Sequence, residues 1–269
     1  SKILSQMHDK LIHVDCSECS KSKSTDTDAF KFYQEGIKFW NNRNQKSMDK
    51  AIKLFDKAIE CDPNFSSAYV MKADCYMLSE DYGNRKKLMD MGKNALDKAE
   101  ELNDTSAEFY TIYAGYVGNI RHYSDKNKEE AKKERLEYLN IAIDKNPNYA
   151  TAHHRLGMHY MNNNSVLAIK SIEKAVALDP KSVIIQAAAS IIHQVGNKNN
   201  RALKYAFNAR EIDPLWNPSQ INNFIFMAYK NLWDWEKCKE CLTPLEQIFK
   251  EAENSWYYPS WLEYYMVTN

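Results

Sequence analysis

Apolar residues along most of this chain recur every three to four positions, in stretches of 11 to 18 residues separated by polar turns, which is the periodicity of amphipathic helices. The stretches come in pairs. A helix through Phe32, Gly36 and Phe39 is followed by one carrying Ala51, Phe55 and Ala58, and Asp62-Pro63 ends the second because proline cannot continue a helix. The same grammar predicts a second pair through Tyr69, Ala73 and Tyr76, then Gly92, Leu96 and Ala99. A third runs through Tyr110, Ala114 and Val117, then Leu139 and Ala142. The fourth uses Leu156, Gly157 and Tyr160, then Ala168, Ile172 and Ala175, and the fifth Ser190, His193 and Gly196, then Ala202 and Ala209. A weaker sixth uses Ala228, Tyr229, Trp233, Trp235, Cys238 and Leu242.

Four phrases mark the ends of these units: Ala58-Ile-Glu-Cys-Asp-Pro63, Ala142-Ile-Asp-Lys-Asn-Pro147, Ala175-Val-Ala-Leu-Asp-Pro180 and Ala209-Arg-Glu-Ile-Asp-Pro214. Pro147, Pro180 and Pro214 fall 33 and 34 residues apart, the period of a stacked helix-turn-helix repeat. Repeats are therefore expected near 29–63, 66–104, 107–147, 150–180, 183–214 and 217–251, with turn insertions stretching the second and third. Loop closure grows only logarithmically with length, so such insertions cost little. The expected fold class is all-α: a right-handed α-solenoid of about six helix pairs. Residues 1–28 read as a helix and polar linker at the end of an upstream element, 29–254 as the array, and 255–269 as a closing helix rich in Trp and Tyr.

Composition narrows the function classes. With 36 basic and 36 acidic side chains the balance is zero, so no electrostatic footprint for nucleic acid is expected. No run approaches the roughly 20 apolar residues that span a bilayer, and a soluble, cytoplasmic chain without a membrane partner is the expectation. Seven glycines, none grouped into a phosphate-cradling loop, give no foothold for a nucleotide cofactor. The charged run from Lys126 to Arg135 mixes signs at helical spacing and reads as a solvated helix face.

Cys16, Cys19, Cys238 and Cys241 form two Cys-x-x-Cys pairs, a spacing that suits four-thiolate zinc. The competing reading makes Cys238 a small packing residue of the last repeat and Cys16 and Cys19 part of the lead-in. His153, His154 and His159 do not share a helix face, because only i, i+3 and i, i+4 pairs do so. The chain is accordingly read as non-catalytic, with no cofactor.

The alternation of Gly or Ala, an aromatic residue, Ala and Asp-Pro resembles the tetratricopeptide repeat family over residues 29–250. The wording from Phe32 to Asn41, the run from Ala51 to Ile59 and the phrase from Asn146 to His154 look like repeat regions of bacterial regulators. In those, the resemblance implies, a winged-helix domain (HilA and CadC type) or an adenylate cyclase domain precedes the repeats. It further implies that first helices line a concave groove. In that register the groove carries Tyr33, Ile37, Trp40, Met71, Asp74, Met77, Thr111, His154, Arg155, Met158, Met161, Asn223 and Met227. The carboxylate clamp of co-chaperone repeats needs cations and amides where this chain has Tyr33, Ile37 and Met71. The expected partner is an extended or helical protein segment held by apolar anchors; the competing reading is that neighbouring helices bury the Met residues as core. The expected role is sensor or interaction region of a regulator; the alternative is a free-standing adaptor. An end of the array also offers a surface for a second copy.

Overall fold

A computed structural model describes residues 26–79, 82–120, 127–238 and 240. The expected N-terminal helix, most of the linker, Cys16, Cys19, Cys241 and the closing helix at 255–269 lie outside the described residues. The described secondary structure is helical. It comprises α1 (Thr27–Asn41), α2 (Gln45–Cys61), α3 (Ser66–Leu78), a 3-10 turn (Tyr82–Asn84), α4 (Arg85–Glu101), α5 (Ala107–Ile120) and α6 (Lys128–Lys145). It continues with α7 (Ala150–Tyr160), α8 (Ser165–Leu178), α9 (Val183–Val195), α10 (Asn199–Ile212) and α11 (Pro218–Asn231). The fold is an all-α stack of paired helices, of the α-solenoid class.

Two compact units fall on either side of the Arg135/Leu136 boundary, which lies within α6. In the first unit α1 packs on α2, α2 on α3, and α3 on both α4 and α5. In the second, α7 packs on α8, α8 on α9, α9 on α10, and α10 on α11. First helices also touch the first helices of adjoining pairs, α1 with α3 and α3 with α5, and separately α7 with α9 and α9 with α11. Each unit thus presents a wall made of first helices.

Local chemistry explains where each helix starts and stops. Asp26 accepts from the N–H groups of Asp28 and Ala29, starting α1 ahead of the expected boundary. Asn44, Asn164 and Asn217 accept from the N–H three residues on, opening α2, α8 and α11. At the other end the Asp-Pro phrases act as brakes. The N–H of Asp62, Asn146, Asp179 and Asp213 donates to the carbonyl of the phrase's alanine, four residues back. The side chains of Asp62, Asn146 and Asp213 accept from the N–H two residues on, turning the chain into the next helix. The residue six past the proline then reaches back to the proline's carbonyl: Tyr69 to Pro63, His153 to Pro147, Gln186 to Pro180.

The interiors are built around alanine. Ala51, Ala58, Ala73, Ala99, Ala168, Ala175, Ala189, Ala202, Ala209 and Ala228 are all fully buried. Around them pack Phe55, Met48 and Met71 in the first unit, and Ile172, Ile192, Ile221 and Ile225 in the second. Each large side chain buried in this way contributes about 1.5–3 kcal/mol. Glycine is used where even a methyl would collide: a Cβ on Gly36 would stand 2.6 Å from Phe55 Cε1, on a ring already wedged against Tyr33.

Gly36→Ala should therefore lower the urea-unfolding stability by about 1–3 kcal/mol, the usual cost of overpacking a core. Gly196→Ala meets only the end of Ile169, Cδ1 at 2.7 Å, which can swing away; a change within about 0.5 kcal/mol is expected there. Equal effects at the two positions would contradict this account of the packing.

Candidate functional site

The residues expected to line a groove lie on the first helices of each unit, and they differ in depth. In the first unit Tyr33, Ile37 and Trp40 of α1 are half-buried. Met71 and Met77 of α3 are each 2% exposed, while Asp74 of α3 and Thr111 of α5 are closed to solvent. In the second unit His154, Arg155, Met158 and Met161 on α7 and Asn223 and Met227 on α11 are half-buried. The expected anchors on α3 thus lie in the interior, because α3 is flanked by α1, α2, α4 and α5. Met71 packs with Met48, Ala51, Phe55 and Cys75 as core.

Polar contacts tie successive pairs of the first unit together, several of them between residues 34 apart. Trp40 Nε1–H donates to Asp74 Oδ2 at 2.9 Å, Ser79 Oγ–H to Gln45 Oε1 at 2.8 Å, and an Arg85 guanidinium nitrogen to Asn119 Oδ1 at 3.3 Å. Asp74 also has the Arg43 guanidinium 3.8 Å away. That guanidinium lies 3.7 Å from the centre of the Trp40 ring. Arg43 sits in the left-handed backbone region at φ 53, an uncommon setting for a residue with a Cβ. In the second unit Gln194 Nε2–H donates to the Phe224 carbonyl at 2.9 Å, linking α9 to α11.

Glu108, in the first turn of α5, was not among the groove residues expected from sequence. The Tyr33 hydroxyl donates to its Oε2 at 3.5 Å, spanning from α1 to α5, and Ser67 of α3 also bonds its carboxyl. Burial, reinforced by the nearby carboxylates of Asp104 and Asp74, pushes the Glu108 carboxyl up to about 8, against the hydrogen bonds of Tyr33 and Ser67. The signal that would have found it is register. Glu108 follows the turn of the third repeat as Ser67 follows that of the second, so both occupy the same place on the wall.

The remaining candidates have structural duties. Cys238 is buried, with its Sγ–H directed at the Phe226 carbonyl 3.8 Å away, and its metal-site companions lie outside the described residues. No group of three or more His, Cys, Asp and Glu side chains able to hold a metal occurs among the described residues. His153 makes the recurring bond to the proline carbonyl. His193, fully buried, has Ala189 O 2.9 Å from Nδ1 and Glu173 Oε1 3.4 Å from Nε2. No described helix is long and apolar enough to cross a membrane.

Paired helices with Gly and Ala at the crossings and Asp-Pro at the ends define a tetratricopeptide-type interaction scaffold, and a tetratricopeptide family model matches residues 54–91. A second model, described as regulator of microtubule dynamics protein 1-3, matches residues 77–248, more than half of the sequence. The chain belongs to that family. Among solved structures it is similar in fold to a thermophilic TPR protein from Thermus thermophilus, with TM-score 0.59, 16% identity, and 74% of this chain and 98% of that one covered. It is similar as well to the type IV pilus biogenesis factor PilW, with TM-score 0.59, 14% identity, and 91% and 100% covered. For Pseudomonas aeruginosa PilF the values are TM-score 0.56, 15% identity, and 91% and 99% covered. No curated protein matches the sequence.

The Glu108 carboxyl makes stability depend on pH in a definite direction. Between its ordinary value of 4.5 and about 8 the folded chain keeps a proton that the unfolded chain releases, so stability falls as pH rises through that window and levels above it. Glu108→Gln should remove this fall, gaining about 2 kcal/mol on the wild type between pH 5 and pH 9 in urea melts. Parallel pH profiles for the two proteins would contradict it.

Proposed function

We propose that the chain is a non-catalytic scaffold that binds an extended or helical protein segment along its walls of first helices. The observation that carries this reading is the set of part-exposed apolar and amide side chains there: Tyr33, Ile37 and Trp40 in the first unit, and Met158, Met161, Asn223 and Met227 in the second. Methionine adapts to irregular partners, and amides can hold a partner's backbone. With α3 sealed, Met71 and Met77 support the wall from behind; an acidic substitution there would test folding rather than binding.

The match to the regulator of microtubule dynamics family over residues 77–248 is compatible with a free-standing adaptor and with the interaction region of a larger regulator alike. Components of microtubule regulation are accordingly the first partners to try. Purified protein should retain peptides on an array of acetylated, amidated heptapeptides of mixed apolar and polar sequence. Met158→Glu combined with Met227→Glu should weaken retention at least about tenfold, since each buries an unpaired charge against the bound chain. Leu215→Glu, at an exposed turn residue, should leave it unchanged. Unaltered retention by the folded double variant would exclude the wall of the second unit.

A further inference from the structure

The carboxylates beside Glu108 are of one sign and unequally compensated. Asp74 has its counter-charge in Arg43 and a donor in Trp40. The groups that act most strongly on Glu108 include two acids, Asp104 from the α4–α5 turn and Asp74 from α3, and two neutral donors, Tyr33 from α1 and Ser67 from α3, but no cation. Asp104 sharpens the imbalance. It is 7% exposed and spends Oδ1 on the Ser106 N–H at 2.9 Å, while its buried Oδ2 has no hydrogen-bond partner among the described residues. A buried carboxylate is ordinarily satisfied. Here its charge instead falls on Glu108, the part-exposed member of the group.

The same wall already shows what it accepts. The Arg43 guanidinium lies over the Trp40 ring within reach of Asp74, so a planar cation backed by an aromatic face is seated one helix away. At Glu108 the aromatic neighbour is Tyr33, itself packed on Phe55 and Phe65, and this apolar surround suits the methylene stem of a long basic side chain.

We propose that Glu108 receives a lysine or arginine side chain of the bound segment, with Asp104 and Asp74 supplying field rather than contact. This rests on the wall of first helices being the binding surface. In the free protein Glu108 holds a proton near neutral pH. The arriving ammonium or guanidinium favours the carboxylate, so the proton leaves to solvent as the ion pair forms. Recognition of a basic side chain thus strengthens as pH rises.

The test uses acetylated, amidated heptapeptides identical except for one position, carrying lysine, arginine, norleucine or citrulline, measured by fluorescence polarisation at pH 6 and pH 9. Lysine stays charged at both. The expected result is about a tenfold preference for lysine and arginine at pH 9, shrinking to about twofold or less at pH 6 as Glu108 takes up its proton. Glu108→Gln should abolish the preference while norleucine peptides bind as before. Asp104→Asn keeps the turn, since Asn146 makes the same bond in the next repeat; it should retain the preference and lower its pH midpoint, which a carbon-13 titration of the Glu108 carboxyl reads without any peptide. Equal binding of lysine and norleucine at pH 9, or a preference surviving in Glu108→Gln, would overturn the assignment and leave the groove reading standing. Failure of every peptide to bind the folded protein would overturn both.

Discussion

Helix pairs in this protein can stack only because their axes come close, and the close approach rests on side chains of one carbon or none at the crossings. Buried alanines recur on the inward faces of α2, α4, α8 and α10, with Ala73, Ala189 and Ala228 or Gly36 and Gly157 opposite. Ridges can then settle into grooves at interaxial distances of about 8–10 Å. Everything larger is arranged around that constraint: the Phe55 ring closes on Gly36 and Ile192 abuts Gly157.

This is also why the fold was legible in the sequence. A small residue at a crossing and an Asp-Pro stop act locally, within one turn of the residue that carries them. Their 33- and 34-residue spacing needs no tertiary knowledge to be seen. Depth was not legible in the same way. Met77 and Met161 stand at the same place in the repeat register, yet α3 is flanked on several sides and Met77 is sealed, while Met161 keeps an accessible face. Burial of that kind depends on how many neighbours a helix has in its unit, which no single repeat records.

Glu108 shows the complementary gap. Its carboxyl is unusual through what stands around it, Tyr33 from α1, Ser67 and Asp74 from α3 and Asp104 from the preceding turn. Those residues span 75 positions of chain, and none is distinctive alone. By contrast His153 and Cys238, conspicuous in the sequence as candidates for chemistry, fill positions that the repeat assigns to fasteners and packing: Tyr69 and Gln186 make the bond of His153 with quite different side chains. Residue type misleads where the architecture fixes the duty, and position informs where the type is ordinary.

The reach from Tyr33 to Glu108 carries a thermodynamic implication. Solenoid stability is commonly a sum over adjacent units, so that an array frays from its ends one unit at a time. A hydrogen bond that skips the intervening pair, together with the Trp40–Asp74 link, fastens α1 to the third pair as well as to the second. Melting α1 then disturbs helices beyond its neighbour, and the first unit gains all-or-none character that nearest-neighbour stacking alone would not give it.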